Sequence, residues 1–275
     1  MPSEYRRSAI PPKPPPPHGA LRQPYPSAAG RDPAWRRAAR VAWAVSSYLV
    51  VQSLLLGVAA LPGAVALQWV TPHLPEAMWG KVVVLAVGFF PTYLLSALTL
   101  MTATSLAVRA LGWGTSSGLV MPIADFDWPL LRWARRGMCT HVVRLLVGTP
   151  TRGTPLWGLF LRMNGTRMGR RVWINSTSIV DHELLAFGDD TVVGHDVHLS
   201  GHTVEAGCVK TGTVRVGCGV TIGVGAVIGI DVDIGDHCQV GALSFVPKYS
   251  RLEAGGTYGG IPVHRLEHEV GAPKV

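Results

Sequence analysis

At 275 residues the chain has room for one or two domains and a sizeable core. Its formal charge of +8, with 20 of the 25 basic residues being Arg, suits nucleic acid, anionic lipid or an acidic substrate as partner. No RNA- or DNA-binding motif is present, and two long apolar runs turn that reading from nucleic acid to the membrane. Four Cys (Cys139, Cys208, Cys218, Cys238) show no CxxC spacing. They read as packing or turn residues, not a disulfide framework, and favour a reducing, cytoplasmic setting.

Residues 1–34 form a tail. The run Pro11 to Pro17, PPKPPPP, cannot bury a core, and with no apolar h-region the tail is not a signal peptide. Val41 to Pro72 carries no charge and is interrupted by Leu61-Pro62-Gly63. Val82 to Val108 is again uncharged, with Pro91 as an expected kink. Each run exceeds the ~20 residues needed to span hydrocarbon, and neither shows a polar face. Together they predict a transmembrane hairpin over residues 35–113. Trp43 and Trp69 stand roughly 39 Å apart along a helix, near an interface-to-interface distance, and Trp79 and Trp113 bracket the second span. Seven Arg and one Lys precede the first span, and Arg109, Arg132, Arg135 and Arg136 follow the second. The connection 73–80 has neither Lys nor Arg. The positive-inside rule therefore puts both termini in the cytoplasm. One span plus an interfacial helix is the alternative.

Residues 114–166 read as a connector. Trp128 to Val147 mixes large apolar residues with Arg132, Arg135, Arg136 and Arg144, as a helix lying on a membrane or packed on a base would. Leu156 to Asn164 reads as one further short helix.

From Val216 a β-branched residue returns every six positions: Val216, Ile222, Ile228, Ile234, Val240, Val246. Gly follows the first five, and a small residue sits four places after each of those five. A period of six fits neither an amphipathic helix nor an alternating strand. It fits a parallel β-helix of hexapeptides turning its corners at Gly. The array begins near Met168, slips by one residue, and continues through Phe187, Val193 and Leu199. From Leu199 to Val216 is 17 residues, not 18, so a loop leaves the coil there. Loops on rigid scaffolds are where chemistry concentrates.

His202 stands immediately before that excursion, after Gly201, which gives it backbone freedom. A neutral imidazole at such an edge is able to take a proton from an amine or hydroxyl attacking a thioester, and Glu205 is placed to hold its tautomer. A solvent-facing turn His is the competing reading. His195, His198 and His202 invite a zinc site, but their differing places in the hexads keep them off one face. Lys248, Arg251 and Arg265 read either as phosphate contacts or as solvated charges.

The hexads with Gly260-Ile261-Pro262 resemble the hexapeptide-repeat acyltransferases. That resemblance implies a left-handed parallel β-helix, a homotrimer, an acyl thioester along the coil between subunits, and a loop His as base. A longer match, about Val41 to Leu266, runs through Gly153 to Leu156, Met168 to Thr177, Phe187 to Asp190 and Val214 to Gly217. It is similar to the membrane-bound C-terminal region of polylysine-synthetase-type nonribosomal peptide synthetases. In that family a His lies between the GDD and VRIG segments; it falls on His202, with an acidic residue on Glu205. The resemblance implies attack of an amine on a thioester-held aminoacyl group. Those synthetases carry three such units in tandem, and one is present here, beginning with its own Met and without room for adenylation or carrier domains. Three copies would rebuild the set. A stand-alone acyltransferase or a remnant are the other readings. Thr203 and Val204 lack the bulky aromatic associated with the family.

The expectation is thus an all-β left-handed parallel β-helix over 167–266, preceded by a two-helix transmembrane hairpin and a short interfacial helix, and followed by a tail, 267–275. His202 and Glu205 are the candidate catalytic pair. Asn175, Gly223, Gly241, Lys248, Arg251, Gly260 and Arg265 are the candidates to line the thioester. Acyl-CoA or a phosphopantetheine thioester is the co-substrate, with no resident cofactor or metal. Membrane lipid, further copies of the chain and a carrier or adenylation partner are the expected partners, with no nucleic acid. A non-catalytic membrane tether for a peptide synthetase is the alternative, and a γ-carbonic-anhydrase-like metalloenzyme the third reading.

Overall fold

The computed structural model describes residues 32–266. The expected tails, the Pro-rich leader up to residue 31 and residues 267–275, lie outside the described residues. Two long helices come first, α1 (Ala34–Val70) and α2 (Met78–Ala110), packed against each other. Both are long and apolar enough to cross a membrane. Most of their large apolar side chains face outward, and Trp43, Trp69 and Trp79 are exposed. α1 runs unbroken through Pro62, so Leu61-Pro62-Gly63 does not interrupt it. A proline removes one N–H and crowds the preceding turn, a cost that a 37-residue helix absorbs.

Trp113 does not mark a lipid boundary. It is buried beneath Arg135, whose guanidinium carbon lies 4.7 Å from the ring centroid. Arg135 also donates to Ser47 Oγ of α1 at 2.9 Å. It belongs to α3 (Trp128–Val143), which buries Leu130, Leu131, Cys139 and Val143. This helix is packed between the two apolar helices and the rest of the chain, so Arg135 and Arg136 are structural pins rather than free juxtamembrane charges.

From Arg167 onward the chain visits three parallel sheets in turn. Thr221 pairs with Gln239, Val227 with Phe245, and Asp233 with Arg251, so each turn of the coil takes eighteen residues. The β-branched series Val216, Ile222, Ile228, Ile234, Val240, Val246 is buried throughout. So are the small residues Val220, Ala226, Val232, Cys238 and Ser244. Each large aliphatic side chain so buried is worth about 1.5–3 kcal/mol, and the row of them is the axis of the coil's stability.

The hexad glycines do something other than turn corners by conformational freedom. A Cβ on Gly223 would lie 2.5 Å from Ala242 N in the next turn. Gly223 is there because stacked turns approach too closely for any side chain. The left-handed backbone falls two residues later, at Gly219, Gly225, Asp231, His237, Leu243 and Tyr249.

Candidate active site

The repeat is broken in two places, and the breaks meet. In the lower turns, Trp173 pairs with Val192 and Ile179 bridges Leu199, separations of nineteen and twenty residues instead of eighteen. The surplus is taken up by a bulge: Asp181 in left-handed backbone (φ 54°, ψ 52°), then a short turn His182–Leu184. In the next turn, His198 pairs with Val227, twenty-nine residues on. The eleven extra residues leave the coil as an antiparallel hairpin, His202–Glu205 with Cys208–Thr211. A connector strand, Val120–Pro122, adds to its outer edge. The excursion read from the sequence is this hairpin, and His202 is its first strand residue.

His202 Nδ1 lies 2.5 Å from Asp181 Oδ2. The Asp181 side chain is only 8% exposed. Burial works to raise its pKa, but the hydrogen bonds from His202 and Trp133 outweigh it and hold the carboxyl below the usual range. An ionised carboxylate only accepts, so the proton between the two groups sits on His202 Nδ1, and whenever the ring is neutral its lone pair is on Nε2. Ser200 Oγ accepts from the His202 backbone N–H at 3.1 Å and lies 3.4 Å from Asp181 Oδ2. Trp133 of α3 donates from Nε1 to Asp181 Oδ1 at 2.8 Å, and its ring stands edge-on to the His202 ring at 4.8 Å. The arrangement is a carboxylate-oriented imidazole with one basic nitrogen available, suited to general-base work.

Glu205 does not orient His202. Residues three apart on a strand point to opposite faces. Glu205 lies on the other face, hydrogen-bonded by Lys210 Nζ at 2.8 Å and by Lys248 Nζ. Those two bonds hold its carboxyl below the ordinary range and raise Lys210. The carboxylate against the imidazole is Asp181, and the signal for it was the one-residue slip in the hexads. Trp133 had no sequence signal beyond its place on an amphipathic helix. Gly201 is not in left-handed backbone; its role is close approach to the 181–184 bulge.

Of the other candidates, Lys248 joins Glu205. Asn175 sits at a coil edge, its N–H donating to Val193 O at 2.9 Å, with its side chain under Gly153. Gly223 and Gly241 are packed between turns. Arg251 pairs with Asp233 at 3.3 Å and Arg265 with Glu253 at 3.1 Å. Gly260 has φ 102° and precedes a cis Ile261–Pro262 bond. The structure therefore gathers Glu205 and Lys248 and leaves Arg251 and Arg265 with carboxylates of their own. His195 lies 3.1 Å from Asp196, and among the described residues no three His, Cys, Asp or Glu side chains converge as metal ligands.

No family model matches the chain. It is similar to a delta-poly-L-ornithine synthetase of Acinetobacter baumannii, 25% identical over 155 residues, covering 55% of this chain and 12% of that protein. It is also similar to a UDP-3-O-acylglucosamine N-acyltransferase of Delftia acidovorans, 30% identical over 118 residues, covering 38% of this chain and 34% of that one. The chain thus spans about a third or less of either relative's length. A solved galactoside acetyltransferase in complex with coenzyme A matches over 60% of this chain and 90% of its own, at 20% identity and a TM-score of 0.41. A serine acetyltransferase of Neisseria gonorrhoeae matches over 82% and 93%, at 19% identity and a TM-score of 0.33. The resemblance read from the hexads and the names of these relatives point the same way: the chain is similar to acyltransferases of the hexapeptide-repeat type.

Proposed function

We propose that the chain is a membrane-anchored acyltransferase that moves an acyl or aminoacyl group from a thioester to an amine or hydroxyl. The observation that carries this is the Asp181–His202 pair, set where a hexad coil is broken by a hairpin, with Nδ1 turned to the carboxylate at 2.5 Å. Nε2 takes the acceptor's proton as its nitrogen or oxygen attacks the thioester carbonyl. Collapse of the tetrahedral adduct expels the thiolate, which receives that proton back from the imidazolium. Asp181 holds the ring and stabilises its charged form. The donor is acyl-CoA or a carrier-bound phosphopantetheine thioester.

In this reading the coil is left-handed, and three copies assemble around the thioester, as in the enzymes the hexads resemble. α1 and α2 cross the membrane with both termini and the coil on the cytoplasmic side, in keeping with their outward apolar faces and the basic residues flanking them. The likeness to a poly-ornithine synthetase supports a link to nonribosomal amide formation. The test is thiol release from acetyl- and aminoacyl-thioesters by detergent-solubilised protein against a panel of amines and alcohols. Release is expected for the parent and lost, by about 10²-fold or more, in a folded His202→Ala variant. Equal turnover in the variant, or no turnover with any donor, favours a non-catalytic tether.

A further inference from the structure

We propose that Trp133 is a positioning residue for the Asp181–His202 pair, and that helix α3 sets the site through it. The activity arm of this inference rests on the acyl-transfer reading; its chemical arm does not. Each oxygen of Asp181 is held by a ring N–H, and Ser200 Oγ makes a third, longer contact with Oδ2 at 3.4 Å. Oδ2 takes His202 Nδ1–H and Oδ1 takes Trp133 Nε1–H. A buried carboxylate with both oxygens so held cannot rotate without losing a charge-assisted bond. Trp133 also fixes the tilt of the imidazole, because its ring stands at 71° to the His202 ring. One side chain thus touches both members of the pair; Ser200 Oγ, 3.0 Å from His202 Nδ1 and 3.4 Å from Asp181 Oδ2, also touches both, but among the described residues Trp133 alone donates to Oδ1.

The helix that carries Trp133 is itself pinned. Arg135 reaches Ser47 of α1. Arg136 pairs with Glu183 at 2.9 Å, two residues beyond Asp181, and donates to the Asn164 carbonyl. The Asn164 amide donates to Ser105 of α2 at 2.7 Å. Arg136 and Trp133 therefore grip the same bulge at two points, from one helix, across 47 to 48 residues of sequence.

The experiment compares Trp133→Phe, which keeps a ring and removes the donor, with the parent, Asp181→Asn and the double variant. The first readout is the rate at which diethyl pyrocarbonate labels His202, mapped by mass spectrometry with exposed His237 and His264 in the same molecule as references. It needs no substrate. The second is kcat and KM for thioester-dependent transfer. Trp133→Phe is expected to change the relative labelling of His202 by about threefold or more and to lower kcat by about 10-fold with KM within about twofold, the size of one charge-assisted hydrogen bond. It is expected to add nothing to Asp181→Asn, because both act on one carboxylate. Unchanged labelling of His202, or losses that multiply in the double variant, overturns the inference. Should Trp133→Phe fail to fold, benzothienylalanine at position 133 keeps the indole shape without the N–H and carries the same expectations. Absence of turnover in the parent alongside altered labelling rejects the acyl-transfer reading and leaves the positioning role standing.

Discussion

Gly201 presses directly on Leu184: a Cβ at position 201 would lie 2.7 Å from the Leu184 Cβ and 2.9 Å from that of Asp181. The chain entering the hairpin and the bulge beneath it are in contact because position 201 has no side chain. Gly201→Ala is therefore expected to push the bulge from the hairpin and lengthen the Asp181–His202 hydrogen bond. Overpacking of this kind costs about 1–3 kcal/mol. A lowered melting temperature together with a fall in kcat larger than that of a remote, equally destabilised variant checks it.

Asp181 and Glu205 separate cleanly by substitution. Asp181→Asn keeps the shape of the side chain but offers the ring an amide in place of a carboxylate. Activity is expected to fall by about 10²-fold or more, the scale of a lost general base or its orienter. Glu205→Gln leaves Lys210 and Lys248 without their shared anion. It is expected to loosen the hairpin, seen as faster amide exchange at 203–210, while kcat stays within about threefold. A Glu205→Gln loss matching that of Asp181→Asn would return the orienting role to Glu205.

His182 gives the fold an acid limit. It is fully buried, and burial first, then the neighbouring Arg136, push its pKa down to about 3 from 6.5. Below 6.5 the unfolded chain binds a proton that the folded chain refuses, so stability is complete above that value and declines as pH falls toward 3. The slope is at most about 1.4 kcal/mol per pH unit. Thermal melts between pH 7 and 4 are expected to show this decline. His182→Gln is expected to flatten it even where it lowers stability at pH 7.

Gln52 is a weak point in the helical pair. It is buried in α1, and among the described residues neither its amide nitrogen nor its oxygen has a partner. Leaving such a group unsatisfied costs about 1–3 kcal/mol. Gln52→Leu is expected to raise the detergent-solubilised melting temperature without disturbing the Asp181–His202 pair; a drop in stability would show that the Gln52 amide has a hydrogen-bond partner in the solubilised protein.

The six-residue period made the coil legible because from Val216 to Val246 the interior positions take β-branched or small side chains, and that constraint recurs in every hexad of the run. The hairpin helices were legible from their uncharged length. The place of the site was legible too, since the excursion after Leu199 and the slip before Phe187 are both failures of count. What the sequence left open was which carboxylate meets His202. Glu205 is three residues away in the chain, but strand alternation turns it to the other face; Asp181 is twenty-one residues away and reaches the ring through a backbone bulge. Trp133 and Arg136 were read as parts of an amphipathic helix, since nothing local reveals that their polar atoms enter a distant turn.

Eighteen is the unit in which this coil can grow. Gaining or losing a whole turn keeps every inward residue inward, whereas a single-residue change rotates all that follows onto the wrong wall unless a bulge absorbs it. Asp181 to Leu184 is such an absorber, so it works as a mechanical tolerance as well as a shelf for a carboxylate. Trimming one residue there would straighten the lower turns into a more regular stack and, in doing so, withdraw Asp181 from the imidazole: the most orderly form of this coil is the one without the pair.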